Sequence, residues 1–323
     1  MKAIVYNKYG DPSVLSEMQV DDVITGPSEI KIKVNASSVT AGDRAVRSLD
    51  TPKLFKLPAR VMLGFFKPKR KILGFEFAGE VVELGEDVER FELGDKVFGS
   101  DLESFGGYGE FKCIKETDSV HIMPENLTYM EAAVLPVGAM TALHYLRKSG
   151  LKEGDSILVY GGSGSVGTYT IQMAKILGAK VTSVTSDKNF DLMKEIGADQ
   201  TYDYKSWNLG DLSDQYDMLF DTVNRLDIND AIGMIISGGV YMNCAMVVPS
   251  LTLSFASKKK CVSCIVSESA EKGYEKLEEI KHWVELGKLY PIIDQEFKRS
   301  HIKQAHEYVD TKRKFGKVPI SNL

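Results

Sequence analysis

Several features that assign proteins to classes are scarce or missing in this chain of 323 residues. Its four cysteines are too few for a disulfide-built secreted domain of this size. No apolar run approaches the roughly 20 residues that cross a bilayer, and the opening MKAIVYNKYG lacks the apolar core of a signal peptide. The net charge is −5, so the basic excess of a nucleic-acid-binding protein is also missing. These absences predict a cytoplasmic protein without a nucleic-acid or membrane partner.

Residues that bind metals are equally sparse. Cys261 and Cys264 form a C-x-x-C pair, but they lie in the strand-like run KKKCVSCIV. Positions three apart lie on opposite faces of a regular strand, and no second pair has metal-ligand spacing. The five histidines show no spacing that suggests a site. The sequence therefore predicts no metal ligands.

Basic residues cluster in two short runs, Lys67–Lys71 and Lys258–Lys260. Each run is interpreted as a solvated face or loop, with a partner site as the alternative. The segment Asp50–Arg70 is rich in Leu, Phe and Pro, and it is a candidate wall for a substrate pocket.

The most informative segment is SILVYGGSGSVGTYTIQMAK, over Ser156–Lys175. A β-prone run ends in a glycine-rich turn, and an apolar-periodic segment follows, which predicts strand, turn and helix. Gly162, Gly164 and Gly167 fit G-x-G-x-x-G, in which backbone approaches a pyrophosphate at the helix N-terminus. A glycine turn without a ligand is the alternative. The residues predicted to bind the cofactor here are Gly162, Ser163, Gly164, Ser165, Val166 and Gly167.

The pattern changes along the chain. Residues 1–123 contain short glycine-bounded strands, which predict a compact β domain. Strands and helices alternate after the glycine-rich turn, including a helix over Lys188–Ile196 and another over Asp227–Ile236. This alternation predicts an α/β fold with a doubly wound parallel sheet over residues 124–265. Two final amphipathic helices predict that residues 266–323 return to complete the first domain.

Ordered motifs over nearly the whole chain resemble the medium-chain dehydrogenase/reductase superfamily, in its zinc-independent quinone-oxidoreductase-like branch. They include LGFEFAGEVVELGEDVERFELGDKVFG, GGYGEF, LPVGAMTALHYL, the glycine-rich turn, and FGKV near the end. The resemblance implies a GroES-like catalytic domain at 1–123, completed by 266–323, and a Rossmann domain at 124–265. It also implies a tyrosine beside the cofactor phosphate, at Tyr204, and a nicotinamide contact at Thr141.

The chain departs from the zinc-dependent relatives at their metal ligands. Their Gly-His-Glu motif corresponds to Gly74-Phe75-Glu76, and no Cys or His lies between residues 35 and 75. Phe75 cannot bind a metal, and Cys113 stands alone where the relatives have a four-cysteine zinc lobe. We therefore expect no zinc. Glu76 is expected to be a buried carboxylate with a backbone or basic partner.

The phosphate of the cofactor ribose distinguishes NADPH from NADH. Asp187 is a candidate NAD ligand at the end of the second strand, but it also suits the N-cap of a helix beginning at Lys188. Thr185, Ser186 and Lys188 offer hydroxyl donors and a cation for a 2′-phosphate. Together with Tyr204 they favour NADPH over NADH.

Candidate catalytic residues lie in Thr40-Ala41-Gly42-Asp43, where many relatives have Asn-Pro-x-Asp. Thr40 is either a substrate hydroxyl donor or a loop cap, and Asp43 either a proton donor or a structural residue. Without a metal or flavin signature, the available chemistry is direct hydride transfer from a nicotinamide to a quinone or α,β-unsaturated carbonyl compound. The alternatives are a non-catalytic NADPH-binding regulatory protein and an alcohol dehydrogenase.

The partners expected are a small-molecule substrate and a second copy of the chain. Two β-prone runs in Ser250–Ile265 end the alternating pattern, and an exposed edge strand with Leu251, Leu253 and Phe255 on one face would favour pairing. The same residues could instead pack inside their own domain.

Overall fold

The structure is a computed structural model that describes residues 1–50, 56–207, 215–244, 260–261 and 270–322. The chain divides into two compact units. The β-rich unit comprises Met1–Val137, Ser269–Glu285 and Ile293–Leu323, and the parallel-sheet unit comprises Gly138–Glu268 and Leu286–Ile292. None of the helices in the described ranges combines the length and apolar character needed to cross a bilayer.

The described residues contain the following elements. The strands are β1 (Lys2–Tyr6), β2 (Leu15–Gln19), β3 (Glu29–Ser38), β4 (Glu76–Leu84), β5 (Lys96–Ser100), β6 (Phe111–Lys115), β7 (Val120–Ile122), β8 (Ser156–Tyr160), β9 (Lys180–Thr185), β10 (Gln200–Asp203), β11 (Tyr216–Asp221), β12 (Ile235–Asn243), β13 (Lys260–Cys261), β14 (Phe297–Lys298) and β15 (Pro319–Ser321). The α-helices are α1 (Ala41–Ser48), α2 (Lys56–Leu63), α3 (Tyr129–Ala133), α4 (Pro136–Ser149), α5 (Ser165–Ile176), α6 (Phe190–Glu195), α7 (Ile228–Gly233), α8 (Ala270–Glu285) and α9 (Ile302–Asp310).

The β-rich unit is built around β3, which pairs antiparallel with β4, β6 and β15. Side chains alternate along a strand, so Ile30, Ile32 and Val34 of β3 share one face and form a core with Phe77 and Val81 of β4. The C-terminal segment contributes a strand to this sheet through β15. It also contributes α9, whose buried face joins a second core of this unit.

The parallel-sheet unit has the strand order β10-β9-β8-β11-β12-β13, and all its pairings are parallel. The chain moves outward from β8 to β10, then crosses to β11 and continues to the other edge. Ile157, Leu158 and Val159 of β8 are all buried, as expected for a central parallel strand. The predicted doubly wound parallel sheet is confirmed, and its direction switches between β8 and β11, where such sheets bind ligands.

Parts of the predicted edge lie outside the described residues. Of the segment Ser250–Ile265, the structure describes only the two residues of β13. The predicted edge run Leu251–Phe255 and Cys264 therefore lie outside the described residues. Cys261 ends β13, which pairs in parallel with β12, so it belongs to a strand as predicted. The predicted helix Asp227–Ile236 was too long, because α7 ends at Gly233 and β12 begins at Ile235.

Candidate functional site

The glycine-rich turn follows β8 at the point where the sheet changes direction. Gly161 has φ +85°, a conformation that favours glycine. A Cβ on Gly162 would lie 2.0 Å from the Ser183 hydroxyl of β9, and one on Gly167 would lie 2.4 Å from the Gly161 carbonyl oxygen. These two glycines are therefore required by the packing of the chain against itself.

Gly164 differs from both neighbours. A Cβ built there would lie 3.3 Å from the Gly161 carbonyl oxygen, which is tight but much less close than the contacts at Gly162 and Gly167. Gly164 is the N-cap of α5, and it has no side chain to accept from the first-turn N–H groups of this 12-residue helix. Ser165, Val166 and Gly167 form that first turn, and Ser165 and Val166 are half-buried. Free N–H groups and the helix dipole at an open approach suit a pyrophosphate.

Ser163, Thr185 and Tyr204 meet beside this turn. The Thr185 hydroxyl donates to the Ser163 hydroxyl oxygen at 2.7 Å, and the Tyr204 backbone N–H donates to the Thr185 carbonyl at 3.1 Å. Tyr204 directly follows β10, and its side chain is 49% exposed. Thr185 and Tyr204 are adjacent because β9 and β10 are neighbouring parallel strands.

The end of β9 leads into a polar loop, where one prediction was wrong. Asp187 is not an α-helical N-cap: Ser186 caps a 3-10 turn over Asp187–Asn189, and α6 begins only at Phe190. The Asp187 carboxylate accepts from the Lys188 backbone N–H at 2.9 Å and from the Ser186 hydroxyl at 3.2 Å. The Lys188 side chain is exposed to solvent. The loop therefore places the Ser186 hydroxyl, the Asp187 carboxylate and the Lys188 ammonium directly after Thr185.

Lys205 is a further cation near this loop, and it was not predicted from the sequence. Its Nζ lies 5.8 Å from the centre of the Tyr204 ring, and its side chain is exposed. Its position directly after Tyr204 is the sequence feature that could have identified it as a candidate phosphate ligand.

Thr141 lies half-buried on α4, one turn after Gly138. A Cβ on Gly138 would be 2.9 Å from the Ser165 hydroxyl and 2.8 Å from the Tyr169 ring, so α4 packs closely against the start of α5. Residues three apart share a helix face, which directs Thr141 toward the same region.

In the β-rich unit, Thr40 and Asp43 form a capping box at the start of α1. The Asp43 carboxylate accepts from the Thr40 N–H at 2.9 Å, the Thr40 hydroxyl at 2.6 Å and the Gly74 N–H at 2.9 Å. Burial raises the pKa of Asp43 to about 6, and the hydrogen bonds from Thr40 and Gly74 act in the opposite direction. Both side chains hold the loop to the strand that carries Glu76.

Glu76 is fully buried and has three partners. Its carboxylate pairs with the Lys317 ammonium at 2.7 Å, accepts from the Val137 N–H at 2.9 Å, and accepts from the Ser38 hydroxyl. The expectation of a buried carboxylate with backbone and basic partners is confirmed. The motif FGKV contains Lys317, but its pairing with Glu76 was not predicted, because the two charges are 241 residues apart.

Phe75 occupies the position that corresponds to a zinc-binding histidine. Its ring stacks on Phe105 with centroids 4.7 Å apart. A Cβ on Gly42 would lie 2.4 Å from the Phe75 ring, so the ring packs directly on the first turn of α1. Within the described residues, no group of three His, Cys, Asp or Glu side chains could hold a metal ion.

A buried hydrogen-bonded chain connects α1, the GGYG turn and α9. Arg47 lies 2.9 Å from Nδ1 of His306, and Nε2 of His306 lies 3.1 Å from the Tyr108 hydroxyl. Arginine can only donate, so Nδ1 accepts and the proton lies on Nε2. Tyr108 then donates to the Ser38 carbonyl at 3.1 Å. Burial, and secondarily the Arg47 charge, lower the pKa of His306 to about 3.

Comparison with known proteins agrees with this architecture. The family described as the alcohol dehydrogenase GroES-like domain matches residues 26–140, and the family described as zinc-binding dehydrogenase matches residues 196–319. A 2-methylene-furan-3-one reductase of Solanum lycopersicum is 32% identical, with 99% of this chain and 79% of that protein aligned. The chloroplastic NADPH-dependent alkenal/one oxidoreductase of Arabidopsis thaliana is 29% identical over the same shares.

A solved structure is similar over the whole chain. The quinone oxidoreductase from Coxiella burnetii has a TM-score of 0.87 and 27% identity, covering 100% of this chain and 99% of that one. Its likeness extends over both the β-rich and the parallel-sheet segments of the sequence. Together with the two family matches and the 32% identical relative, it shows that this chain belongs to the medium-chain dehydrogenase/reductase superfamily, in the quinone oxidoreductase-like branch.

Proposed function

We propose that this chain is an NADPH-dependent oxidoreductase that reduces quinones or α,β-unsaturated carbonyl compounds without zinc. The observation that carries the proposal is the uncapped start of α5, at the sheet's switch point, next to the polar groups that follow β9 and β10. NADPH is the cofactor because Thr185, Ser186 and Lys188 can donate to a 2′-phosphate while Tyr204 borders it. NADH lacks that phosphate and would give the Lys188 ammonium no phosphate to pair with, whereas the Thr185 and Ser186 hydroxyls already donate to Ser163 and Asp187.

The chain's own residues account for cofactor binding. The N–H groups of the first turn of α5 would hold the pyrophosphate, since Gly164 leaves its approach open. Ser163 is held beside Thr185 by a 2.7 Å hydrogen bond, so the turn and the phosphate-binding loop are oriented together. Thr141, on the helix that packs against α5, is proposed to contact the nicotinamide. When bound, the reduced nicotinamide supplies a hydride.

The substrate class follows from what the β-rich unit offers. Lys317 neutralises Glu76, and Phe75 replaces a metal-binding residue, so the site has no Lewis acid assembled from these positions. A conjugated acceptor suits such a site, because the negative charge formed on hydride addition spreads to an oxygen that a hydroxyl or water can protonate. Thr40 and Asp43 remain the predicted catalytic residues. Their mutual hydrogen bonds equally support a structural role, holding the loop in place.

The relatives support the same class. Two of them are named 2-methylene-furan-3-one reductase and NADPH-dependent alkenal/one oxidoreductase, and both names contain a carbonyl compound with a carbon–carbon double bond. We further propose a cytoplasmic homodimer, and we keep the predicted domain division at residues 123/124 and 265/266 as a proposal beside the borders of the compact units at 137/138 and 268/269. Light scattering tests the dimer: a mass near the 35.8 kDa of one chain would contradict it.

A substrate panel tests the proposed activity. Purified protein is incubated with NADPH or NADH and a set of quinones, enones and saturated ketones, or with NADP+ or NAD+ and primary alcohols, and nicotinamide absorbance is followed with and without chelator. We expect NADPH oxidation with quinones or enones that survives the chelator. Cofactor binding without turnover of any compound would favour the regulatory alternative. Chelator-sensitive alcohol oxidation would favour an alcohol dehydrogenase.

A further inference from the structure

One segment of the β-rich unit exposes several large apolar side chains. It consists of α2 and the turn after it, residues 56–71, here called the 56–71 segment. Its large apolar residues are strongly exposed: Leu57 62%, Val61 62%, Met62 68%, Phe65 47% and Phe66 89%. Leu57 and Val61 lie one turn apart on the outward face of α2. A contiguous exposed group of this kind marks an interaction surface more often than an accident of folding.

The exposure is not a result of loose packing. Leu63, on the opposite face of α2, packs against the core that contains Tyr6 and Leu73. The Gly64 carbonyl accepts from the Tyr9 hydroxyl at 2.9 Å, and the Lys69 N–H donates to the Leu63 carbonyl at 2.8 Å. The segment is therefore fixed to the unit on one side and presents its apolar face on the other.

Side chains of the segment also brace its own backbone. The Arg60 guanidinium donates to the Phe65 carbonyl at 2.7 Å, and the Lys69 ammonium donates to the Val61 carbonyl at 2.9 Å. These bonds join the C-terminal end of α2 to the turn that carries Phe65 and Phe66. The two phenylalanine rings meet edge to face, with centroids 4.9 Å apart. The apolar tip is thus held in a defined shape before any partner arrives.

The charges of the segment have one sign. It contains six basic residues and no acidic one, although the whole chain has a net charge of −5. The six are Lys56, Arg60, Lys67, Lys69, Arg70 and Lys71. In the described part of the chain, none of them lies within ion-pair distance of a carboxylate. The positive field around the exposed apolar tip is therefore not cancelled by internal pairing.

We propose that the 56–71 segment docks this protein on the surface of an anionic lipid bilayer. Phe66 and the outward face of α2 would enter the boundary between headgroups and acyl chains, while the basic residues would lie among the headgroups. Large apolar side chains surrounded by lysine and arginine are typical of interfacial segments, and each basic residue near an anionic leaflet adds to the attraction.

The composition favours lipid over a protein partner. Protein interfaces are enriched in tyrosine, tryptophan, phenylalanine, methionine and arginine and depleted in lysine. Four of the six cations here are lysines, and the segment has no tyrosine or tryptophan. The expectation that no membrane takes part rested on the lack of a spanning segment, and it does not apply to peripheral binding. The proposal is independent of the proposed reaction, because the docking surface needs neither cofactor nor turnover.

Sedimentation with lipid vesicles tests the proposal on the full chain without cofactor. Vesicles of phosphatidylcholine alone, and of phosphatidylcholine with phosphatidylserine, are compared at low and high salt. We expect binding to the anionic vesicles only, and weaker binding at high salt because the charges are then screened. Equal binding to both vesicle types, or binding to neither, would overturn the proposal.

Matched variants locate the binding surface. Phe66→Ser and the double reversal Lys67→Glu/Lys71→Glu should each reduce partition into anionic vesicles by about tenfold or more. Ile24→Ser, at a residue 91% exposed elsewhere in the same unit, and Lys303→Glu, an exposed position on α9, should leave the partition within about twofold of the parent. Circular dichroism and thermal unfolding verify that all four fold.

Other occupants would give different results. If the segment contacts a second copy of the chain, Phe66→Ser changes the mass in light scattering while vesicle binding is absent or unchanged. If it forms a substrate pocket wall, the same variant raises the KM for a soluble enone without any vesicle binding. Either result would overturn the docking proposal.

Discussion

Polar groups find their partners in different ways in two regions of the molecule. One region is the start of α5 in the parallel-sheet unit, and the other is the polar cluster around Glu76 in the β-rich unit. At α5 the capping position is a glycine, which has no side chain to accept from the first-turn N–H groups. Around Glu76 the carboxylate has an ion pair and two further hydrogen bonds, and it is fully buried. The N–H groups at the start of α5 can therefore bind a ligand, whereas the Glu76 carboxylate already has its partners within the chain.

The energetic reason lies in burial. A buried carboxylate without partners is costly, so a cluster that excludes water must satisfy each charge internally. A helix N-terminus reached by solvent can leave its N–H groups to water until an anion replaces it. Substitutions in the Glu76 cluster should therefore mainly change stability, and substitutions at the start of α5 should mainly change binding.

The largest effect is expected for Lys317→Met. It leaves the buried Glu76 without its cation and should lower the free energy of unfolding by about 3–5 kcal/mol. Urea unfolding of the single variant and of Glu76→Gln/Lys317→Met provides the measurement, and the double variant should recover much of the loss. A single variant as stable as the parent would show that the ion pair does not hold the cluster together.

Gly164→Val should change cofactor binding much more than stability. The Cβ would lie 3.3 Å from the Gly161 carbonyl oxygen, a tight contact that a small shift relieves, so the free energy of unfolding should change by about 1 kcal/mol, while NADPH affinity falls by about 100-fold or more. Calorimetric titration and thermal unfolding measure the two effects. Gly162→Ala is the contrasting control, since its Cβ would meet Ser183 and it should destabilise the fold. Parent-like NADPH affinity in Gly164→Val would rule out the proposed phosphate site.

His306→Gln tests the buried chain through pH. His306 has a folded pKa of about 3, below the usual value near 6.5, so the unfolded state binds more protons between these pH values. The parent therefore loses stability as pH falls. Gln can keep both hydrogen bonds but does not titrate. The gap in free energy of unfolding, parent minus variant, should therefore fall by about 2 kcal/mol from pH 7 to pH 5.

Comparing parent and variant is necessary because a second group acts in the opposite direction. The raised pKa of Asp43 makes the folded state bind more protons as pH falls through about 6, which stabilises it. Asp43 is present in both proteins, so its contribution cancels in the difference between them. A gap that is constant with pH would mean that His306 titrates normally in the folded protein.

The smallest effect is expected for Lys188→Ala. Removal of one exposed phosphate contact should weaken NADPH binding by about tenfold, or about 1.4 kcal/mol, and leave NADH binding unchanged. Lys205→Ala is an informative partner, because Lys205 lies next to Tyr204 and was not predicted. Equal weakening for both cofactors would show that Lys188 does not read the 2′-phosphate.

Local sequence predicted much of the parallel-sheet unit. The β-prone run before Gly161 is β8, and the apolar-periodic run after it is α5, since both depend on residues close in the chain. The helix predicted over Asp227–Ile236 failed at its end. Ile235 continues the helical apolar pattern, but it pairs with Tyr216 of β11, and this contact with a neighbouring strand determines its conformation.

What the sequence by itself determined was the order of strands and helices, the glycine-rich turn and the phenylalanine at position 75, where the resemblance implies a histidine in zinc-dependent relatives. Each depends on the type of a residue or on spacing within a few turns. Only the tertiary structure decided that Lys317 neutralises Glu76, that Arg47 fixes the tautomer of His306, and that Tyr204 lies beside Thr185. Those partners come from distant strands and helices, and hydrogen bonds act only over the few ångströms that folding brings between them.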